Sequence, residues 1–294
     1  MKSFKSGNLL NVTIVIVALN ISFSANGQKK PVNTQQTDAI KLEYKYLKET
    51  PVKYLSISKM TQTMDIQGQS MQNNINEVFG CSIKAAGKTD SDLKLEIKLD
   101  TLGQVVESPM GTTGGSISDI QGKVINISIS PDGRETEISE AEKIIYTVEG
   151  SGESNISRTF LDFFPILPDK PVKIGDTWNI VDNVADTTVA SSIENVVNSI
   201  DKLEAIENID GIECARISST LSGTMSIKIQ NQGTDITMKG TFTGNATLLF
   251  AIKEGYFIKQ VATSKMTGNI EISTPESMTF PLVMDVNTVN EVKK

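Results

Sequence analysis

The stretch ITMKGTFTGNATL, residues 236–248, decides the fold class. Ile236, Met238, Gly240, Phe242, Gly244, Ala246 and Leu248 share one face, while Thr237, Lys239, Thr241, Thr243, Asn245 and Thr247 share the other. A period of two held over this length is a β-strand, and at about 3.3 Å per residue it runs roughly 40 Å. Strands this long bend. Gly240 and Gly244 on the apolar face either permit the bend or leave room for a ligand against the sheet.

The same rhythm extends in both directions. Leu93, Leu95, Ile97 and Leu99 alternate with charged residues, and Lys41–Glu49, Val52–Ile66 and Asn74–Ala85 read as further strands. Asp210-Gly211 and Glu254-Gly255 join apolar runs as tight hairpins, and Pro131-Asp132-Gly133 separates two more runs. Met278, Phe280, Leu282, Met284 and Val286 form the inward face of a last strand, in which Pro281 predicts an edge position or a bulge.

The middle of the chain breaks the pattern. Ser139 with Glu142 has the spacing of a capping box and predicts a short helix through Tyr146. Residues 155–164 place Ile156, Phe160, Phe163 and Phe164 on one helical face, stopped by Pro165 and Pro168. The expected architecture is mainly β: a long, curved, half-barrel-like antiparallel sheet with one or two short helices across its concave side. Residues 38–294 form one domain, or two halves, 38–150 and 170–294, joined by the helical segment.

The chain opens with Lys2 and Lys5, an apolar run from Leu9 to Leu19, and the small residues of Ala25-Asn26-Gly27. These are the parts of a cleavable export signal, residues 1–27, followed by a polar, flexible leader over 28–37. The apolar run is too short to span a bilayer, which needs about 20 residues. The first cysteine is Cys81, so no lipid-anchor cysteine follows the cut. Stable membrane insertion is therefore not expected, and the mature chain is placed in the periplasm or the medium. Losing Lys2 and Lys5 takes the net charge from -7 to -9, which argues against nucleic acid as a partner.

LPDKPVKIGDTW, residues 167–178, resembles the signature of an uncharacterised family of exported bacterial β-proteins, with a P-V-x-x-G-D-T-W segment ahead of a strand. That family carries no assigned reaction. The layout of long curved strands around a helical insertion is also similar to the periplasmic lipoprotein-carrier fold, a resemblance that implies a concave face shielding acyl chains. Read from the residues, Gly175 suits a positive-φ turn, Asp176 can bond nearby backbone, and Trp178, the only tryptophan, can cover the end of the core or contribute to binding.

With no histidine in the sequence, Ser-His-Asp and Cys-His nucleophiles and the zinc-protease helix are excluded. No calcium-loop motif is present, and no metal or other cofactor is expected. The acids Asp90, Asp92, Glu96 and Asp100 read as a solvated face. Cys81 and Cys214 are expected as buried thiols, with a disulfide as the alternative. The leading functional expectation is a non-catalytic binding protein of the cell envelope, holding a lipid or other apolar molecule against Phe160, Phe164, Gly240, Phe242, Gly244 and Ala246. A structural or interaction module that binds an envelope protein is the alternative, and an enzyme the third. A dry continuous cavity would favour the first, a filled core the second, and carboxylates converging in a cleft the third.

Overall fold

In the computed structural model residues 38–293 are described, apart from 67, 90, 149–151, 188–190, 232–233 and 274–276. The export signal, the leader and Asp90 lie outside the described residues. The first meander contains β1 (Val52–Ile66), β2 (Gln69–Lys88), β3 (Leu93–Ser108), β4 (Gly111–Ser116), β5 (Val124–Ile129) and β6 (Glu135–Glu137). The second contains β9 (Thr177–Thr187), β10 (Ser191–Ile209), β11 (Ile212–Asn231), β12 (Thr234–Ala251), β13 (Tyr256–Ser273) and β14 (Met278–Val292). Between them lie α1 (Ser139–Glu142), a small hairpin of β7 (Ile145–Val148) and β8 (Gly152–Asn155), and α2 (Ser157–Phe160).

Both meanders belong to one sheet. The order is β6-β5-β3-β2-β1-β14-β13-β12-β11-β10-β9, with β4 paired to β3, and the named pairings are antiparallel. The first and last long strands meet at its centre, from Tyr54 opposite Val292 to Met64 opposite Leu282. The sheet does not close into a barrel, yet its two ends approach each other. Arg134, just before β6, contacts Asp182 on β9 at 3.0 Å, and Arg158 of α2 contacts Asp186 on β9 at 2.5 Å. The segment from α1 to Pro168 thus plugs the mouth of a strongly curled sheet.

Alternation explains the core. Phe250, Leu248, Ala246, Phe242, Met238 and Ile236 of β12 are buried on one face, while Lys239, Thr241, Thr243 and Asn245 are exposed. At the plugged end the core is aromatic. Phe163 packs against Tyr54, Phe79, Phe160, Phe164 and Phe257, with ring centroids between 5.1 and 5.9 Å apart and mostly edge-to-face. Towards the other end the core becomes aliphatic and rich in methionine, with Met60, Met64, Met225, Met238, Met266 and Met284. Residues 38–49 cover the plugged end, burying Leu42, Tyr44 and Tyr46.

Several local expectations need correction. Lys41–Glu49 alternates but forms no strand: its backbone is held by the β5–β6 and β12–β13 turns, through Tyr44 N–H to Pro131 O and Lys45 N–H to Gly255 O. The helix expected through Tyr146 is one turn, after which Tyr146 lies in β7. The helix expected over 155–164 is also a single turn, because Asn155 pairs in β8 with Ile145. Asp210-Gly211 is a two-residue hairpin with φ of 52° and 88°, as type I′ turns require. Glu254-Gly255 instead belongs to a four-residue turn, since Ala251 pairs with Tyr256. Pro281 lies in a central strand, one residue beyond Leu282, where the pairing with β1 stops, so its missing N–H breaks no ladder there.

Phe163 is the ring around which the plug packs, so Phe163→Ala is expected to destabilise the protein by about 3–5 kcal/mol. Urea unfolding checks this, with Ile200→Thr on the exposed face as a control that shifts stability little.

Candidate functional site

The motif Gly175-Asp176-Thr177-Trp178 is a turn into the edge strand. Gly175 has φ of 95°, the Asp176 carboxylate accepts from the Lys173 amide at 2.8 Å, and the turn is stitched to β10 through Gly175 N–H to Leu203 O and Leu203 N–H to Asp176 O. Trp178 is half-buried against the aromatic core. Its surroundings explain it as cover for the end of that core.

The residues expected to line a ligand site separate. Phe160 is fully buried among the aromatic side chains, and Phe242 is buried in the methionine-rich core. Gly240 sits directly opposite Gly268, and a Cβ there would lie 2.5 Å from both the Thr267 carbonyl oxygen and the Met266 methyl. The space a side chain would take is occupied by the neighbouring strand, and Gly240 borders a groove with Thr241, Thr267 and Gly268. Gly244 borders a groove on the solvent-facing side with Thr243, Asn245 and Thr263. Of the six, only Phe164 and Ala246 come together in one partly open cavity. Gly240→Ala is accordingly expected to lower stability by about 1–3 kcal/mol, read from thermal unfolding.

That cavity, about 140 Å³, lies between the plug and the inner face of β9–β13. Leu161, Phe164, Val184, Val197, Leu221 and Leu248 give it apolar walls. Four acidic residues from four places in the chain line the same space: Glu135 of β6, Asp162 just after α2, Asp182 of β9 and Asp201 of β10. Alternation along β10 delivers the polar floor, since Asn195, Ser199 and Asp201 share the inward face with Ile193, Val197 and Leu203.

Burial governs the charge state here. Loss of hydration pushes the Glu135 carboxyl up to about 8, with Asp182 adding to the rise and Arg134 opposing it. Asp162 is raised well above the usual carboxylate range, by burial first and then by Glu135 and Asp182. Asp201 is raised by burial against hydrogen bonds from Ser219 and Ser199. The Glu135 Oε1, Asp162 Oδ1 and both polar side-chain atoms of Asn195 are buried with no hydrogen-bond partner. Such groups cost on the order of 1–3 kcal/mol each when left unpaired, so the cavity is built for polar contents.

The outer acids behave as expected where described, Glu96 pairing with Lys84 at 2.8 Å. Cys81 and Cys214 are separate buried thiols; burial raises Cys81 well above its ordinary value and pushes Cys214 up to about 12. Among the described residues no cluster of acids, cysteines or histidines could hold a metal ion, and no helix is long and apolar enough to cross a membrane.

No family model and no curated protein matches the chain. Among solved structures it is similar to OccK2 (OpdF) of Pseudomonas aeruginosa in complex with glucuronate, 8% identical over 86% of this chain and 100% of that one, with a TM-score of 0.24. A second, OccK11 (OpdR) of the same organism, is 10% identical over 86% and 99%, with a TM-score of 0.20. At such scores the folds do not superimpose, and nothing about this chain follows from them.

The raised carboxyls make stability depend on pH in a definite direction. Glu135 binds its proton more tightly folded than unfolded, so its contribution is complete below the unfolded value, near 4.5, and is lost as pH rises towards about 8. Asp162 and Asp201 act in the same sense. The melting temperature is expected to fall between about pH 5 and pH 8, and Glu135→Gln to flatten that fall, as followed by circular dichroism.

Proposed function

We propose that this chain is an exported, non-catalytic binding protein of the bacterial cell envelope, which holds a compact and largely apolar small molecule between plug and sheet. The observation that carries the reading is a cavity of about 140 Å³ with apolar walls and buried polar atoms that lack partners. Its size suits a ligand with the bulk of a single ring, since an internal cavity of roughly 150 Å³ accommodates benzene. The export assignment rests on Lys2, Lys5 and the apolar run from Leu9 to Leu19.

Of the three outcomes that would separate the functional classes, the cavity combines two: it is apolar in its walls and carboxyl-lined at its floor. The carboxyls support a second reading, acid–base catalysis by Glu135 with Asp182, because an acid with a value near 8 is tuned to work at neutral pH. A binding protein returns its ligand unchanged, whereas a catalyst consumes it.

Benzyl alcohol is the probe of choice, with an apolar ring and one hydroxyl. Binding in the millimolar range or tighter is expected by calorimetry, and Ala246→Phe, which fills the cavity, is expected to abolish it with little loss of stability. A parent protein that takes up neither benzyl alcohol nor its charged analogues benzylamine and benzoate would overturn the reading.

A further inference from the structure

The polar lining of the cavity is one-sided. Four acidic residues line it, while among the described residues no lysine or arginine does. Arg134 stands behind Asp182 at 3.0 Å and is shared with Asp132 at 3.4 Å, and the plug's own Arg158 is engaged by Asp186 and Ser191. Among the described residues Glu135 and Asp162 form no ion pair, although Arg134 acts on Glu135 through space. The elements that complete the wall, β11 to β13, bring Ser219, Ala246, Leu248 and Gln260 and no charge.

A second, independent feature indicates what would satisfy these acids. Asn195 is only 2% exposed, lines the same cavity, and its amide oxygen and nitrogen both lack partners. With Glu135 Oε1 and Asp162 Oδ1 this leaves three buried oxygens waiting for donors. An alkylammonium group carries three N–H donors, one for each of these oxygens, and leaves the Asn195 amide nitrogen, itself a donor, to another acceptor. A bare metal ion does not fit: among the described residues no three acids lie close enough to hold one.

We infer that the cavity takes a compact organic ammonium ion, its N–H groups on Glu135, Asp162 and Asn195 and its apolar body against Leu161, Val197 and Leu221. The inference rests on the binding function proposed above and names the ligand's chemical class. It also balances protons. In the empty cavity the buried carboxyls keep theirs, because burial disfavours the charged form. An entering ammonium keeps all its protons and forms a carboxylate–ammonium pair, so one carboxyl proton leaves for the solvent and the charge within the cavity is unchanged. Affinity should therefore rise with pH up to the range in which Glu135 titrates, near 8.

Three probes of one shape test this by calorimetry near neutral pH: benzylamine, benzyl alcohol and benzoate. Benzylamine is expected to bind at least about tenfold more tightly than benzyl alcohol, and benzoate not at all, since like charge repels it. Repeating the benzylamine titration in two buffers of different ionisation enthalpy should reveal release of about one proton per ligand. Glu135→Gln, with Asp162→Asn as a second variant, should lower that release and narrow the preference for the amine while the protein stays folded by circular dichroism. If benzyl alcohol or benzoate binds as tightly as benzylamine, the ammonium inference falls and small-molecule binding stands. If none of the three binds, both fall.

Discussion

An eighteen-residue strand with one apolar face presents a strip roughly 60 Å long that water must not reach. No single helix laid on a flat sheet covers such a strip. The chain meets this constraint in two ways: the sheet curls, so that its own strands cover one another, and the mouth of the curl is filled from the middle of the sequence. Where the strands approach most closely, side-chain atoms are missing. Gly240 and Gly268 face each other across β12 and β13, and at Gly223 on β11 a Cβ would lie 2.0 Å from the Val196 carbonyl oxygen. Packing the plug then divides the interior into an aromatic end and a methionine-rich end. The cavity lies at the side of the plug, where Leu161 and Phe164 meet the inner face of β9–β13.

The two ends of the sheet are joined by side chains instead of a backbone ladder. Arg134, beside β6, bridges to Asp182 of β9 where a closed barrel would have hydrogen-bonded strands, and Arg158 ties the plug to Asp186 of the same strand. Arg158 and its partner are well buried, and breaking such a pair by removing one member leaves an uncompensated charge. The seam therefore fixes the position of β9, and with it one wall of the cavity, without closing the sheet.

The long strands were legible because a period of two survives any amount of curling; Val52–Ile66 read from sequence is β1 residue for residue. The plug was not. Its apolar spacing identified Phe160, Phe163 and Phe164 as buried, correctly, but the rings are held by contacts to distant strands, and single-turn helices need no helical periodicity to persist. The carboxyl cluster was missed although it left traces. Asp162 stands alone among four apolar neighbours in FLDFF, and Asp201 falls in phase with Leu203 and Ala205, on the face that should have been apolar. A charged residue in phase with a buried face is the local sign of a polar interior. Convergence of Glu135, Asp162, Asp182 and Asp201 from four elements is a property of the curl, and no local pattern encodes it.

The pairing of β1 with β14 dictates when the fold can be completed. Tyr54 and Val292 are neighbours across the sheet although more than two hundred residues of chain separate them. Each meander can zip up strand by strand from its own hairpins, but the central seam has to wait until the last strand has been synthesised. Until then β1 and β13 each carry a long unpaired edge. A partly synthesised chain thus exposes the template on which strands of other copies would add. Sheltering those two edges until β14 arrives is a task that the topology hands to the cell.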